Sequence, residues 1–417
     1  MNHHQVRDWA GLPKHVVELI LEKVETSIDF SSLSNVCVSW HSLAIKDKYT
    51  KHNKMLHHHY LPMLLVPNQE EDSWSLSLLY CKRFNGSSLG WLVVVNEDYT
   101  ITLHKPYYFI SSSSSSSNPL TTHQVSLPCL LPPTLSHLEA YLEEDEYFDD
   151  NEDYYYAGKK YYVNKALITA SPLLSNNYNN ECIVVVIYGE ICELACIRYG
   201  KDTTWTKIKD NQFDREFEDV AYYKGKFYAL TFHGTLVCFE YPNPNAEITT
   251  NSMELVIAPN LRRLRGDLSI RRYLVVSSFT EELLCVEREI FWNEDGYDER
   301  ITKNFRVLKL DLDGDNRCGK WLEKKSLGDI VLFVGDNSSI VVLASEFNIQ
   351  PNCIYFTHDE IFGLPTKTGR NCDLGVYNLD DQSFKFNYNL PSTMFHRILK
   401  RPPIWIEPPI SSIYVNQ

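Results

Sequence analysis

The sequence predicts a multidomain α + β protein in which a small helical N-terminal domain precedes an all-β propeller. Near the N-terminus, apolar residues recur at helical spacing. From Trp74 onward, short β-rich runs alternate with turn residues, and no amphipathic helices separate them. Strand groups that recur about every forty to fifty residues are typical of propeller blades. The chain has 417 residues, of which 44% are hydrophobic and 13% aromatic, so it is large and apolar enough for a packed core.

The N-terminal stretch predicts two short helices. The first begins at Leu12-Pro13, because proline is tolerated in a first turn, where the N–H that it lacks would have no partner. Asp29 is a suitable N-cap for the second helix. The apolar stripes consist of Val16, Val17, Ile20, Leu21 and Val24 in the first helix and Phe30, Leu33, Val36, Cys37 and Trp40 in the second. Two such short helices cannot bury both apolar stripes against each other, so the apolar surface that remains must pack against another domain or another protein.

These residues resemble the F-box. The matching positions are Leu12-Pro13, Ile20-Leu21, Val24, Val36-Cys37 and Trp40. The resemblance implies a helical domain at residues 7–48 that docks onto a Skp-type adaptor, which links to a cullin scaffold and a ubiquitin ligase. The residues that it assigns to the adaptor interface or to the small core behind it are Leu12, Pro13, Val16, Ile20, Leu21, Val36, Cys37 and Trp40. Periodicity alone also allows a helical hairpin that caps the following domain.

Charge and hydropathy exclude two classes of partner. The net charge of −14 argues against nucleic acid and against an anionic membrane surface, since both require a cationic face. No apolar run approaches the roughly 20 residues that span a bilayer. The first residues contain no apolar signal core, so we expect a protein of the cytoplasm and/or the nucleus. The eleven cysteines are scattered singly, most of them in apolar strand-like runs, which indicates reduced, buried thiols.

Residues 217–240 form the clearest β unit. Lys224-Gly225 and His233-Gly234 predict two tight turns that separate three strands. Similar hairpins are expected in residues 183–198, 273–288 and 330–343, and a meander in residues 90–103, after a strand in residues 75–81. Further strands are predicted at residues 353–356 and 375–377. The stretch offers room for about five to seven blades, and closure into a ring would leave no long exposed edge strand.

This region also resembles a known family. Residues 217–230, 271–288, 305–342, 352–359, 373–380 and 402–408 look like the plant domain of unknown function 295, which is treated as a kelch-like β-propeller and commonly follows an F-box. Composition and the strand pattern predict a linker at residues 49–73 and a propeller-like domain at residues 74–410. Two segments stand outside the pattern: the serines at 111–117, expected to be a flexible loop, and the acidic insertion at 143–153, expected to be solvated or to form an acidic lip for a basic substrate.

Candidate catalytic and metal sites are weak. The sequence lacks a nucleophile elbow, a Walker loop and an H-E-x-x-H motif. The triplet His57–His59 has no distant partner set, and the Asp311–Asp315 stretch lacks the sharp-turn glycine of a calcium loop. Cys192 and Cys196 are expected to be core cysteines, and His233 and His358 have no paired nucleophile. We therefore expect no enzyme, no cofactor and no metal.

The sequence thus favours a non-catalytic substrate-recognition subunit of a Skp–cullin–F-box ubiquitin ligase, in which the propeller binds an unidentified target protein. The alternative is a propeller that acts outside a ligase, either as a binding scaffold or, less readily, as a sugar-processing enzyme. A scaffold would bury Ile20, Leu21 and Trp40 within the chain. An enzyme would place convergent carboxylates at the mouth of the propeller.

Overall fold

The computed structural model describes residues 12–22, 40, 61–65, 84–96, 98–106, 122–130, 163–174, 181–189, 192–208, 216–241, 254–257, 268–292, 300–312, 318–359, 373–385 and 403–407. Within these ranges, β-strands dominate. The helical elements with bounds in these ranges are α1 (Lys14–Glu22), α2 (Ala344–Phe347) and a 3-10 turn at Pro172–Leu174. None of the described helices is long and apolar enough to cross a membrane.

Four of the described sheets share one design, a four-stranded antiparallel meander whose strands pair in chain order. Sheet 1 contains β2 (Phe84–Ser88), β3 (Trp91–Val95), β4 (Thr100–Pro106) and β5 (Thr122–Cys129). Sheet 2 contains β6 (Val163–Ile168), β7 (Ile183–Tyr188), β8 (Glu193–Arg198) and β9 (Thr206–Ile208). Sheet 3 contains β10 (Phe217–Tyr223), β11 (Lys226–Thr231), β12 (Leu236–Phe239) and β13 (Glu254–Ile257).

Sheets 4 and 5 differ from each other in topology. Sheet 4 is a meander of longer strands, β14 (Leu268–Ser277), β15 (Glu282–Trp292), β16 (Arg300–Leu312) and β17 (Gly319–Glu323). The strands of sheet 5 are β18 (Ile330–Val334), β19 (Ile340–Leu343), β20 (Cys353–Phe356), β21 (Gly375–Asn378) and β22 (Ser383–Lys385). In sheet 5, β18 lies between β19 and β20 and runs parallel to β20, which requires a crossover that α2 provides.

Sheet 6 joins the two ends of the β region. It consists of β1 (Met63–Leu65), which pairs antiparallel with β23 (Ile404–Ile406). Its apolar side chains pack in two directions. Trp405 lies edge-on to Phe333 of sheet 5 with the ring centroids 5.0 Å apart, while Ile404 and Ile406 share a cluster with Leu92 of sheet 1.

Apolar clusters also join each of the other neighbouring sheets, from 1 and 2 through to 4 and 5. Together with the two contacts of sheet 6, they arrange the six sheets in a closed ring, as in a propeller. Since each sheet lies between two neighbours, central strands are buried on both faces, as all six residues of β7 show. This explains why the strands are near-continuous apolar runs.

The structure confirms most of the predicted hairpins. At the turn between β10 and β11, Lys224 and Gly225 both have positive φ angles, 48° and 83°, as the tight turns of hairpins require. The predicted hairpins at residues 183–198, 273–288 and 330–343 and the turn from β3 into β4 are also present. The predicted strand at residues 75–81 lies outside the described residues.

The predicted linker at residues 49–73 needs a correction. Residues 63–65 within it form β1, which is part of the ring. The sequence analysis missed this strand because its three residues stand between prolines, and its partner lies about 340 positions further along the chain. Local turn chemistry gives no signal for such a distant pairing.

Replacing Trp405 with alanine is expected to weaken the closure of the ring. Trp405 is only 4% exposed and contacts Phe333 and Tyr355, so its loss should lower the free energy of unfolding by about 3–5 kcal/mol. Equilibrium denaturation measures this change. Leu322→Ala, at a position 43% exposed on β17, is the control and should change stability by less than about 0.5 kcal/mol. A Trp405→Ala protein as stable as the wild type would contradict closure through sheet 6.

Candidate functional site

The N-terminal helix starts where the sequence predicts. The backbone N–H groups of Val16 and Val17 donate to the carbonyl oxygen of Pro13 at 2.9 Å and 3.3 Å, so Pro13 stands at the beginning of α1. Val17 is buried at 1% exposure, whereas Leu19 is 54% exposed. The described part of α1 therefore has a buried side and an exposed side that carries a large apolar residue.

The predicted adaptor-binding residues are distributed over both environments. Pro13 is exposed, and Leu12 and Val16 are partly buried. Trp40 has helical backbone and is 2% exposed. The side chains of Ile20 and Leu21 and the whole of Val36 and Cys37 lie outside the described residues. Leu19 is an exposed apolar residue that the sequence analysis did not single out.

A second candidate site lies at the axis of the ring. The first strands of sheets 1 to 4 pack against one another in order, so they surround the axis. Lys165 on β6 and Asp219 on β10 form an ion pair there, with 2.9 Å between Nζ and Oδ1 and at most 3% of either side chain exposed. The other carboxylate oxygen of Asp219 accepts the backbone N–H of Leu274 at 2.8 Å. Asp219 thus connects sheets 2, 3 and 4.

Glu218, the neighbour of Asp219, faces two arginines of β14. Its Oε1 accepts the backbone N–H of Arg272 at 2.8 Å and lies 3.7 Å from Nη1 of Arg271. Burial raises the pKa of Glu218 to about 7, although both arginines favour its ionised form. Burial disfavours the charge on Arg271, but Glu218 and Asp336 outweigh it and raise the arginine's pKa above the usual range. We call Lys165, Glu218, Asp219, Arg271 and Asp336 the axial cluster.

A separate buried network joins sheets 4 and 5. The fully buried guanidinium of Arg288 lies 2.9 Å from Asp373 Oδ2 and 3.2 Å from Asp359 Oδ2, and it stacks over the ring of Phe356 at 4.6 Å. Tyr273 donates its hydroxyl to Asp359. Two carboxylates and several carbonyl or hydroxyl oxygens satisfy this arginine, as a buried charge requires. The network is a structural connection between sheets.

The family model described as the KIB1-4 beta-propeller matches residues 63–378, which run from the first residue of β1 to the last residue of β21. The chain belongs to the KIB1-4 β-propeller family. The more specific kelch-like relationship stays a prediction.

Several relatives of this family member come from Arabidopsis thaliana and extend over nearly the whole chain. "F-box protein At2g17036" is 25% identical and covers 96% of this chain and 95% of its own. "F-box protein SKIP23" is 24% identical with the same coverage. Among solved structures, PorZ, a component of the type-IX secretion system of Porphyromonas gingivalis, covers 71% of this chain and 33% of its own at 9% identity and a TM-score of 0.25, and we base no argument on it.

The histidines and cysteines that the sequence offers as candidate catalytic or metal-binding residues do not form one site in this KIB1-4 family member. His233 is exposed at its turn, whereas His358 is buried and accepts the backbone N–H of Asp373 at 3.2 Å. Cys192 and Cys196 are buried, and burial raises their thiol pKa values to about 11 and about 12. Cys196 lies on β8, but Cys192 lies in the preceding turn rather than on the strand.

The described residues contain no group of three or more side chains that could hold a metal ion. Asp311, considered for calcium, lies 3.4 Å from Lys320 in an exposed ion pair. The triplet His57–His59, the serines at 111–117, the acidic insertion at 143–153 and Asp313 and Asp315 lie outside the described residues.

The axial cluster is not among the sites that the sequence predicts. Its one available signal in the sequence is a pair of adjacent charged residues in an otherwise apolar strand, Glu218-Asp219 in β10 and Arg271-Arg272 in β14. Strand periodicity alone does not tell which adjacent charges face an axis, because that depends on how the sheets pack.

Neutralising Asp219 with Asp219→Asn should destabilise the protein by about 3–5 kcal/mol, because Lys165 would remain buried without its counter-charge. The matched control is Asp311→Asn, which removes the carboxylate of an exposed pair with Lys320 and should cost less than about 1 kcal/mol. Denaturant unfolding of both variants measures the difference. Equal, small effects would show that the Lys165–Asp219 pair is not a buried connection.

Proposed function

We propose that this protein is the substrate-recognition subunit of a Skp–cullin–F-box ubiquitin ligase. The observation that carries the proposal is the agreement between relatives named F-box proteins, which match 96% of this chain, and the Leu-Pro helix start at residues 12–13. The exposed Pro13 and Leu19 offer apolar surface to a partner. The region around residues 7–48 would dock a Skp-type adaptor and, through it, a cullin.

The proposed mechanism is positioning. The adaptor end is held by the ligase, and the propeller holds the target, so the effective concentration of the target near the conjugating enzyme rises. This chain supplies no catalytic residue and no cofactor in that mechanism. We propose the cytoplasm and/or the nucleus as its location, and an unidentified protein, rather than nucleic acid or a membrane, as its target.

A second function, a propeller scaffold that does not join a ligase, also agrees with the burial of one predicted residue. Trp40 is 2% exposed, which is the environment that the scaffold hypothesis predicts for it. The F-box hypothesis places the same residue either at the interface or in the small core behind it, so burial of Trp40 is compatible with both. Leu12 and Pro13 distinguish the two functions, because only a ligase subunit needs them for a partner.

The proposal is tested by co-purifying the full chain with a plant Skp-type adaptor. Leu12→Ala/Pro13→Ala is expected to weaken the complex by about 2 kcal/mol or more, since interface anchors each contribute on the order of 1–2 kcal/mol. Binding of purified components by calorimetry or biosensor measures the loss.

The control is Leu173→Ala/Leu322→Ala, which removes two exposed apolar side chains of the propeller and should leave adaptor binding unchanged. A wild-type chain that is folded by circular dichroism but binds no adaptor would overturn the ligase role and favour the scaffold. Equal binding by both double variants would show that the Leu-Pro start is not the docking site.

A further inference from the structure

One guanidinium at the axis is shared by two carboxylates. Nη1 of Arg271 lies 3.7 Å from Oε1 of Glu218, and Nη2 of Arg271 lies 3.7 Å from Oδ1 of Asp336. Glu218 belongs to sheet 3, Arg271 to sheet 4, and Asp336 to the segment between β18 and β19 of sheet 5. At these distances neither carboxylate makes a close hydrogen bond to Arg271. The arginine can therefore move towards either neighbour.

The other charged side chains near Glu218 have closer partners of their own. Lys165 on β6 pairs with Asp219, the neighbour of Glu218 on its own strand. The Arg272 guanidinium donates to the carbonyl oxygen of Phe232 at 3.0 Å and to Glu287 on β15 at 3.2 Å, and it stays 3.8 Å from Oε2 of Glu218.

The orphaned groups of the cluster are buried. Oε2 of Glu218 and Nε of Arg271 have no hydrogen-bond partner among the described residues. The Glu218 side chain is 1% exposed, and its negative charge is held chiefly by an arginine that Asp336 also attracts. Burial of a carboxylate without close hydrogen bonds on one oxygen favours the neutral acid.

We propose that Glu218 is a proton-dependent switch at the axis of the propeller, which shares Arg271 with Asp336 when it is ionised and releases Arg271 to Asp336 when it is protonated. Proton uptake thus weakens the attraction between sheets 3 and 4 and strengthens that between sheets 4 and 5. The groups that face the switch are Asp219 on β10, Lys165 on β6, Arg271 and Arg272 on β14, Glu287 on β15, and Asp336.

The switch has a defined effect on stability. Burial raises the pKa of Glu218 from 4.5 to about 7 in the folded protein. A carboxyl whose pKa is raised by folding contributes stability that is fully present below pH 4.5 and is lost as the pH rises through about 7. From pH 5.5 to pH 8, this one group should therefore increase the unfolding equilibrium constant about 30-fold.

The test is denaturant unfolding of the full chain between pH 5.5 and pH 8. The increase in the unfolding constant should be about 30-fold smaller in Glu218→Gln than in the wild type, because glutamine cannot titrate. Glu240→Gln, at a side chain that is 71% exposed, is the matched control and should keep the wild-type pH dependence. A Glu218→Gln protein with the wild-type pH dependence would overturn the proposal.

A second variant tests the sharing of Arg271 and does not require Glu218→Gln to fold. Asp336→Asn removes the carboxylate that competes for Arg271, so Arg271 stabilises the ionised form of Glu218 more strongly. The pH range over which the protein loses stability should therefore move to lower pH by about half a unit or more. A residue with a merely structural role would lower stability equally at every pH. An unmoved transition in Asp336→Asn would show that the two carboxylates do not compete.

Discussion

The structure depends on the mutual burial of neighbouring sheets. Each sheet presents apolar side chains on both faces, and a single four-stranded sheet cannot remove both from water. Only a ring satisfies every sheet, because an open row would leave two outer faces exposed. The two-stranded sheet 6 therefore matters more than its size indicates. Through Trp405 on one side and Ile404 and Ile406 on the other, it covers the last face of sheet 5 and the first face of sheet 1.

The axis imposes a second constraint, since six sheets converge where space for side chains is smallest. Close approach is visible at Gly86, where a Cβ atom would stand 3.4 Å from the backbone nitrogen of Ala166. Ser338 donates its backbone N–H to Ser87 at 2.9 Å and its hydroxyl to Ala166 at 3.1 Å, so polar contacts bring sheets 1, 2 and 5 together. Next to these contacts, the Lys165–Asp219 pair and the shared Arg271 add charged contacts between sheets. The centre is thus specified by polar pairing and the periphery by apolar packing.

Sequence reasoning succeeded where a local rule decides the structure. The turn at Lys224-Gly225 requires two positive φ angles, and the strands around it are short apolar runs, so one window of sequence contains the whole hairpin. It failed where the structure depends on contacts between residues far apart in the chain. The pairing of β1 with β23, the parallel pairing of β18 with β20 and the burial of Lys165 against Asp219 depend on packing between segments far apart in the chain. The same holds for the N-terminal helix, whose Leu-Pro start is local but whose partner is not contained in the sequence.

The corrected position of the first strand changes how the two proposed functional parts are connected. Because β1 belongs to the ring, the propeller begins at residue 63 rather than near residue 74. The family match, which begins at residue 63, agrees with this boundary. A shorter connection restricts how far the propeller can move from a docked adaptor, since the reach of a chain grows with its number of residues. In the proposed ligase role, a connection whose length matches the span to the adaptor would raise the effective concentration of the bound target. Ring closure by β1 and β23 would then serve recognition as well as stability, because it attaches the N-terminal region to a fixed point of the propeller.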